Sequence, residues 1–144
     1  MDSLLMKPKK EPTPGFIYIF RNFLNNNLIK VGLSKDPIAR KKQLHTTGTE
    51  LPMTIYHVWH VNNMRLAEQA AHDILRGHRV NNRREFFEIA PLPHFNEFER
   101  TNYDVTSEFL YTLTGLIEDG WDYLEIQYRE ASPKELHDIH YQAK

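Results

Sequence analysis

Four side chains in the first half of the chain have types that can do chemistry and sit at positions that need explaining: Tyr18, Lys30, Arg40 and Glu68. Lys30 interrupts the apolar run 28–33 (LIKVGL), where an ammonium group is out of place without a partner or a function. Arg40 is followed directly by Lys41 and Lys42, and the planar guanidinium fork matches the oxygens of a phosphate. Glu68 lies beside alanines 67, 70 and 71, at the border between an apolar helix stripe and solvent, where a carboxylate can point into a cleft. His72 follows one turn later on the same face. Plainer roles exist for each: an aggregation-blunting lysine on an edge strand, a surface arginine, and a solvated glutamate paired with Arg65 or His72.

The elements that must position these groups can be read from local pattern. Residues 15–20 (GFIYIF) are β-formers that are apolar on both faces, Asn25-Asn26-Asn27 is a turn signal, and residues 28–33 resume as a second strand. Alternation puts Phe16, Tyr18 and Phe20 on one face, and Leu28, Lys30 and Gly32 on one face of the second strand. Asp36 suits an N-cap and Pro37 a first helical position, which predicts a basic helix from 37 to about 45. Residues 53–61 (MTIYHVWHV) read as a third strand. Asn63 then caps a second helix running to about 76, with Ala67, Ala70, Ala71 and Ile74 facing the core. Glu85-Phe86-Phe87 is a short strand or an apolar clip. Beyond it, Val105, Phe109, Leu110, Leu113, Leu116 and Ile117 fall at helical spacing, with Asp104 as cap and Gly120 as stop. Residues 121–128 are open between strand and loop, and 133–142 form a last short helix. The order predicts an α+β fold with a small three-stranded antiparallel sheet and a mostly helical C-terminal extension.

Composition sets the outer limits. The chain has 144 residues, no cysteine and a net charge of −1. That length predicts a core without staples, and the missing cysteines exclude disulfides, thiolate zinc sites and cysteine nucleophiles. No apolar run approaches the roughly 20 residues that cross a bilayer, and residues 4–6 are too few for a signal-peptide core. A soluble, cytoplasmic protein without a membrane partner is expected. The near-zero net charge hides a split. Residues 1–90 carry 14 Lys and Arg against 8 Asp and Glu, a charge of +6, whereas residues 91–144 carry 4 against 11, a charge of −7. A basic functional part and an acidic appendage would give that pattern, as would two independently solvated surfaces. Residues 1–14, with three prolines and three lysines, read as a flexible tail.

Gly15-Phe16-Ile17-Tyr18, then Lys30-Val31-Gly32, then Arg40, then Glu68 with His72, then Glu85-Phe86-Phe87 together resemble a GIY-YIG nuclease domain. More specifically they are similar to the branch known as T5orf172 and its relative Mug113. The resemblance covers about residues 15–90, leaving 91–144 as an acidic extension expected to pack on it. It implies a GIY-YIG fold and a metal-dependent endonuclease that hydrolyses DNA phosphodiester bonds, leaving a 5′-phosphate and a 3′-hydroxyl, with RNA open as a substrate.

The resemblance also implies roles. Glu68 is the ligand of a divalent metal, and one carboxylate plus waters suits Mg²⁺ or Mn²⁺ better than zinc. Arg40 is the phosphate clamp. Tyr18 positions or activates the attacking water. A free tyrosine ionises near pH 10, so activation needs nearby positive charge, which Lys30 offers if the two face each other across the hairpin. Many relatives begin the second motif with tyrosine where this chain has Lys30, so one active-site hydroxyl is missing. Gly32 gives backbone room, and His45 and His72 are supporting residues. Lys35, Lys41, Lys42, Arg83 and Arg84 are expected nucleic-acid contacts.

Two other function classes fit the same residues. One is a catalytically inactive nucleic-acid-binding module. The other is a protein-interaction adaptor working through the acidic C-terminal part, which also offers a surface for a homodimer or another protein partner.

Overall fold

The computed structural model describes residues 11–46, 52–80 and 83–142, and within these it leaves aside the side chains of residues 45, 46, 83 and 84. The first ten residues of the expected tail lie outside the described residues, as do Asn81 and Asn82.

Strand β1 (Gly15–Asn22) pairs antiparallel with β2 (Leu28–Ser34) as the hairpin pattern predicts. Every residue of β1 is buried, because the strand is covered on both faces, which explains its unbroken apolar run. Helix α1 (Pro37–Thr46) follows, and Asp36 caps it: its Oδ1 accepts from the Ala39 N–H at 3.1 Å. Strand β3 (Met53–Val61) pairs with the other side of β1. Helix α2 (Met64–Ile74) is capped by Asn63, which accepts from the Leu66 N–H at 3.2 Å. A 3-10 turn (Arg76–His78), the two-residue strand β4 (Arg79–Val80) and strand β5 (Arg83–Glu88) come next.

The acidic part contributes helices α3 (Glu97–Thr101) and α4 (Tyr103–Tyr123), strand β6 (Tyr128–Glu130) and helix α5 (Pro133–Gln142). Asn102, not Asp104, caps α4. The helix also runs through Gly120 instead of stopping there. A Cβ at Gly120 would meet the Ile74 side chain, so this glycine lets α2 and α4 approach. The chain leaves the helix one turn later, where Glu125 takes a positive φ of 60°.

The sheet has six strands in the order β4-β5-β2-β1-β3-β6, all neighbours antiparallel. The fold is α+β, but the expected three-stranded sheet is corrected by three further strands. Two of them, β5 and β6, are recruited by pairing with residues more than 50 positions away in sequence, which no local pattern displays. As a result β2 lies inside the sheet between β5 and β1, and the reading of Lys30 as an edge-strand lysine does not apply.

The sheet separates two apolar layers. On one face Ile17, Ile19, Val31 and Trp59 pack with Ala67, Ala70 and Ala71 of α2 and Leu110, Ile117 and Trp121 of α4. The Trp121 indole N–H donates to the Ala67 carbonyl at 3.0 Å, tying α4 to α2. On the other face Phe16, Tyr18, Phe20 and Val58 pack with Leu44 of α1 and Leu136 of α5. The buried Arg21 joins the hairpin to α4, donating to Ser107 and Thr106 hydroxyls at 2.8 Å each, with the Tyr103 ring 4.5 Å from its guanidinium carbon. Among the described residues no helix is long and apolar enough to cross a membrane.

Candidate active site: a phenol, a guanidinium and two carboxylates around Gly32

The register of the hairpin sets the site. Tyr18 lies directly opposite Gly32, and Phe20 opposite Lys30. The expectation that Lys30 faces Tyr18 across the hairpin is therefore corrected by two residues of register. What Tyr18 faces instead is the glycine: a Cβ on Gly32 would collide with the Tyr18 hydroxyl, lie 2.7 Å from its Cζ and 2.9 Å from Glu85 Oε1. Gly32 is thus required by close approach, as its reading for backbone room anticipates, and the crowding group is the phenol itself.

Tyr18 is fully buried, with its ring stacked on Phe20 at 3.9 Å between centroids. Its hydroxyl has no hydrogen-bond partner. The Arg40 guanidinium, carried by α1, approaches the hydroxyl closely enough to act on it by a bent hydrogen-bond contact and by charge, and the phenol in turn raises the guanidinium pKa. The contact is too bent to satisfy the hydroxyl. Burial pushes the Tyr18 phenol up to about 12, and the neighbouring Glu85 carboxylate adds to this, while Arg40 opposes it. The expected lowering by Lys30 is absent, because the ammonium is already committed.

Lys30 is 2% exposed, and its ammonium donates to Glu85 Oε1 at 2.8 Å, with the Phe86 ring centroid 5.1 Å away. Burial pulls its pKa below the ordinary lysine value, and the Glu85 hydrogen bond works against that. This pair explains the lysine in an apolar strand. Glu85 is the group that sequence reasoning missed as a site residue. Sequence places it in a short strand or apolar clip and in the motif that carries the resemblance, with no site role. The available signal is the unexplained charge of Lys30, which demands a carboxylate somewhere.

Glu68 projects from α2, half-buried, at the same end of β2. Burial raises its carboxyl above the usual range and Glu85 raises it further. His72, Lys30 and the Leu33 backbone N–H oppose the rise. His72 itself donates from Nε2 to the Val31 carbonyl at 2.8 Å and lies against the Phe87 ring, 5.2 Å between centroids, so it fastens α2 to β2.

Tyr18, Lys30, Gly32, Arg40 and Glu68, from β1, β2, α1 and α2, are therefore brought together, with Glu85 of β5 among them. The other predicted contacts are spread out. Lys35 and Lys42 are exposed and Lys41 half-exposed on α1. Arg83 and Arg84 begin β5, and like His45 their side chains lie outside the described residues. Among the described residues no group of three or more histidine or carboxylate side chains is placed to hold a metal. Glu68, a single carboxylate, is the kind of ligand a hard cation that keeps most of its own waters would take, whereas zinc calls for several nitrogen or sulfur donors.

No curated protein and no solved structure matches the chain. The T5orf172 domain model does, over residues 15–108. That span extends past the expected boundary near residue 90 into α4 and takes in every residue of the Gly32 cluster. T5orf172 domains are associated with nuclease-like or DNA-binding functions. With well over half of its length matched, this chain belongs to the T5orf172 domain family.

Proposed function

We propose that the protein is a metal-dependent endonuclease acting on DNA phosphodiester bonds, with its site around Gly32. The observation that carries this reading is the orphaned Tyr18 hydroxyl, buried and facing Arg40 and Glu85 at a wall that only glycine can form. An unsatisfied buried hydroxyl is costly, and a bound water or phosphate oxygen would satisfy it.

Each side chain then has a task. Among the described residues no carboxylate lies within ion-pair distance of Arg40. Besides Tyr18, the guanidinium makes an exposed hydrogen bond to Gln43 Oε1 at 3.3 Å, which a phosphate can displace, and there it would stabilise the charge that builds up as the bond breaks. Tyr18 works as a neutral phenol that orients the attacking water by hydrogen bonding. With its ionisation near 12, it is a poor general base at neutral pH. Glu85 cancels the charge of Lys30, which leaves Arg40 as the cation facing the hydroxyl. Glu68 would hold Mg²⁺ or Mn²⁺, and such an ion, when bound, supplies Lewis acidity toward a phosphoryl oxygen. Lys35, just before α1, and Lys41 and Lys42 on it would hold backbone phosphates, and a cytoplasmic location goes with this reading.

The test is nicking of supercoiled plasmid by the wild-type chain and by Arg40→Ala and Tyr18→Phe. Both variants should slow nicking by about a hundredfold while DNA binding changes little, since each acts on the transition state. Salt-dependent DNA binding with no nicking under any divalent cation would replace this reading with the inactive binding module.

A further inference from the structure

The segment after residue 108 lies beyond the family match, yet its last helix is wired into the helix that carries Arg40. Helix α1 grips the sheet weakly on its own. Pro37 and Leu44 are its buried residues among those described, Ile38 packs partly buried against the same layer, and much of the rest of its surface is charged or polar. Helix α5 packs along it. Leu136 is buried in the same apolar layer as Tyr18, Phe20 and Leu44, and Ile139 packs against that layer.

One turn after Leu136, the buried His140 reaches both ends of the α1 segment that holds Arg40. Its Nδ1 contacts Asp36 Oδ2 at 2.9 Å, and its Nε2 contacts Lys42 Nζ at 3.2 Å. The two partners assign the ring: Nδ1–H donates to the carboxylate and Nε2 accepts from the ammonium. Asp36 uses its other oxygen to cap α1 through the Ala39 N–H. His140 therefore spans the cap and the second turn, with Arg40 between them, four residues after Asp36 and two before Lys42.

We infer that His140 is a positioning residue for the proposed nuclease site: by bridging Asp36 and Lys42 it sets the axial position and rotation of α1, and so places the Arg40 guanidinium against the Tyr18 hydroxyl. This rests on the functional reading above only for its catalytic consequence. The placement of Arg40 is a statement about the folded chain alone. A helix held by apolar contacts slides or turns at little cost. A carboxylate and an ammonium bonded to the two nitrogens of one rigid ring fix it in both senses.

The experiment is ¹³C NMR of tyrosine-labelled full-length protein, with the Tyr18 Cζ resonance assigned from Tyr18→Phe. Arg40→Ala gives the displacement that marks loss of the guanidinium. His140→Leu should reproduce at least half of that displacement. His140→Gln, whose amide can still donate to Asp36 and accept from Lys42, should stay at the wild-type position. In plasmid nicking His140→Leu should lose between about tenfold and a hundredfold in rate, and adding it to Arg40→Ala should cost little more, because both remove the same contact. A folded His140→Leu protein with an unmoved Tyr18 resonance would overturn the inference. Should the leucine variant not fold, an unmoved resonance in Lys42→Met would do the same. A moved resonance in a chain that nicks no DNA would uphold the positioning and sink the nuclease reading instead.

Discussion

The Tyr18 hydroxyl occupies the space that a side chain on Gly32 would fill, so the two residues form one piece of wall across the hairpin. Gly32→Ala must therefore displace either the phenol or Glu85. The Tyr18 ring, stacked on Phe20, has little freedom to move. We expect a stability loss of about 1–3 kcal/mol from overpacking, measured by urea unfolding, and a fall in nicking rate larger than the loss of folded protein accounts for. Alanine tolerated with unchanged rate and stability would show that the wall yields.

Lys30 and Glu85 form the buried ion pair of the site, with 3% and 38% of their side chains exposed. Removing Glu85 strands an ammonium inside the sheet. Glu85→Ala should lower stability by about 2–3 kcal/mol, less than for a fully buried pair because Glu85 keeps some solvent. Lys30→Met combined with Glu85→Gln should recover most of that loss, since neither charge then remains buried. The measurement is the urea midpoint of Glu85→Ala and of the double variant, each against wild type.

Burial holds Tyr18 in its neutral form. Its ionisation is pushed up to about 12, whereas a free tyrosine ionises near pH 10. Because the folded value lies above the unfolded one, this group's contribution to stability is present below about pH 10 and is lost as pH rises toward the folded value. In an NMR titration the Tyr18 resonance should stay at its neutral position through about pH 10 and move only well above it. A Tyr18 resonance that titrates near pH 10 would remove the argument for a neutral water-orienting phenol.

His57 lies on the opposite face of the sheet, against Trp59 at 4.4 Å between ring centroids, and its Nε2 is buried without a partner. Burial pulls its pKa below the ordinary histidine value, with Glu130 and Glu118 opposing. The unfolded chain then binds this proton more readily. Stability linked to His57 is full above about pH 6.5 and is lost as pH falls through the folded value. Urea midpoints at neutral pH and near pH 5 should show wild type losing more stability than His57→Gln over that interval. Equal losses would mean that the ring is protonated as easily in the folded chain as in the unfolded one.

Much of this architecture could be read from local pattern. Alternation gave the hairpin and its Tyr18 face, Asp36-Pro37 marked the start of α1, and the alanine stripe of α2 pointed to its core face. What escaped depended on contacts distant in sequence. The strand pairings of β5 and β6 enlarge the sheet, and the pairing of β5 with β2 removes the edge-strand alternative for Lys30 and buries it. The hairpin register could not be fixed because a two-residue shift leaves every side chain on its own face, so alternation does not tell the two pairings apart. Gly120 looked like a helix stop because its tight contact with Ile74 is tertiary. Glu85 was hidden for the same reason. Its role is visible only once β5 stands beside β2 and its carboxylate meets Lys30.

Cleavage of a DNA duplex by the full-length protein, with Mg²⁺ or Mn²⁺ and with chelator, for wild type and Glu68→Gln, tests the central claim most directly. The amide keeps the shape of the side chain and removes the charge that a divalent cation requires. The account predicts cation-dependent strand cleavage by wild type and a loss of about a hundredfold or more in Glu68→Gln, whose fold is unchanged. Cleavage by Glu68→Gln at the wild-type rate would contradict it.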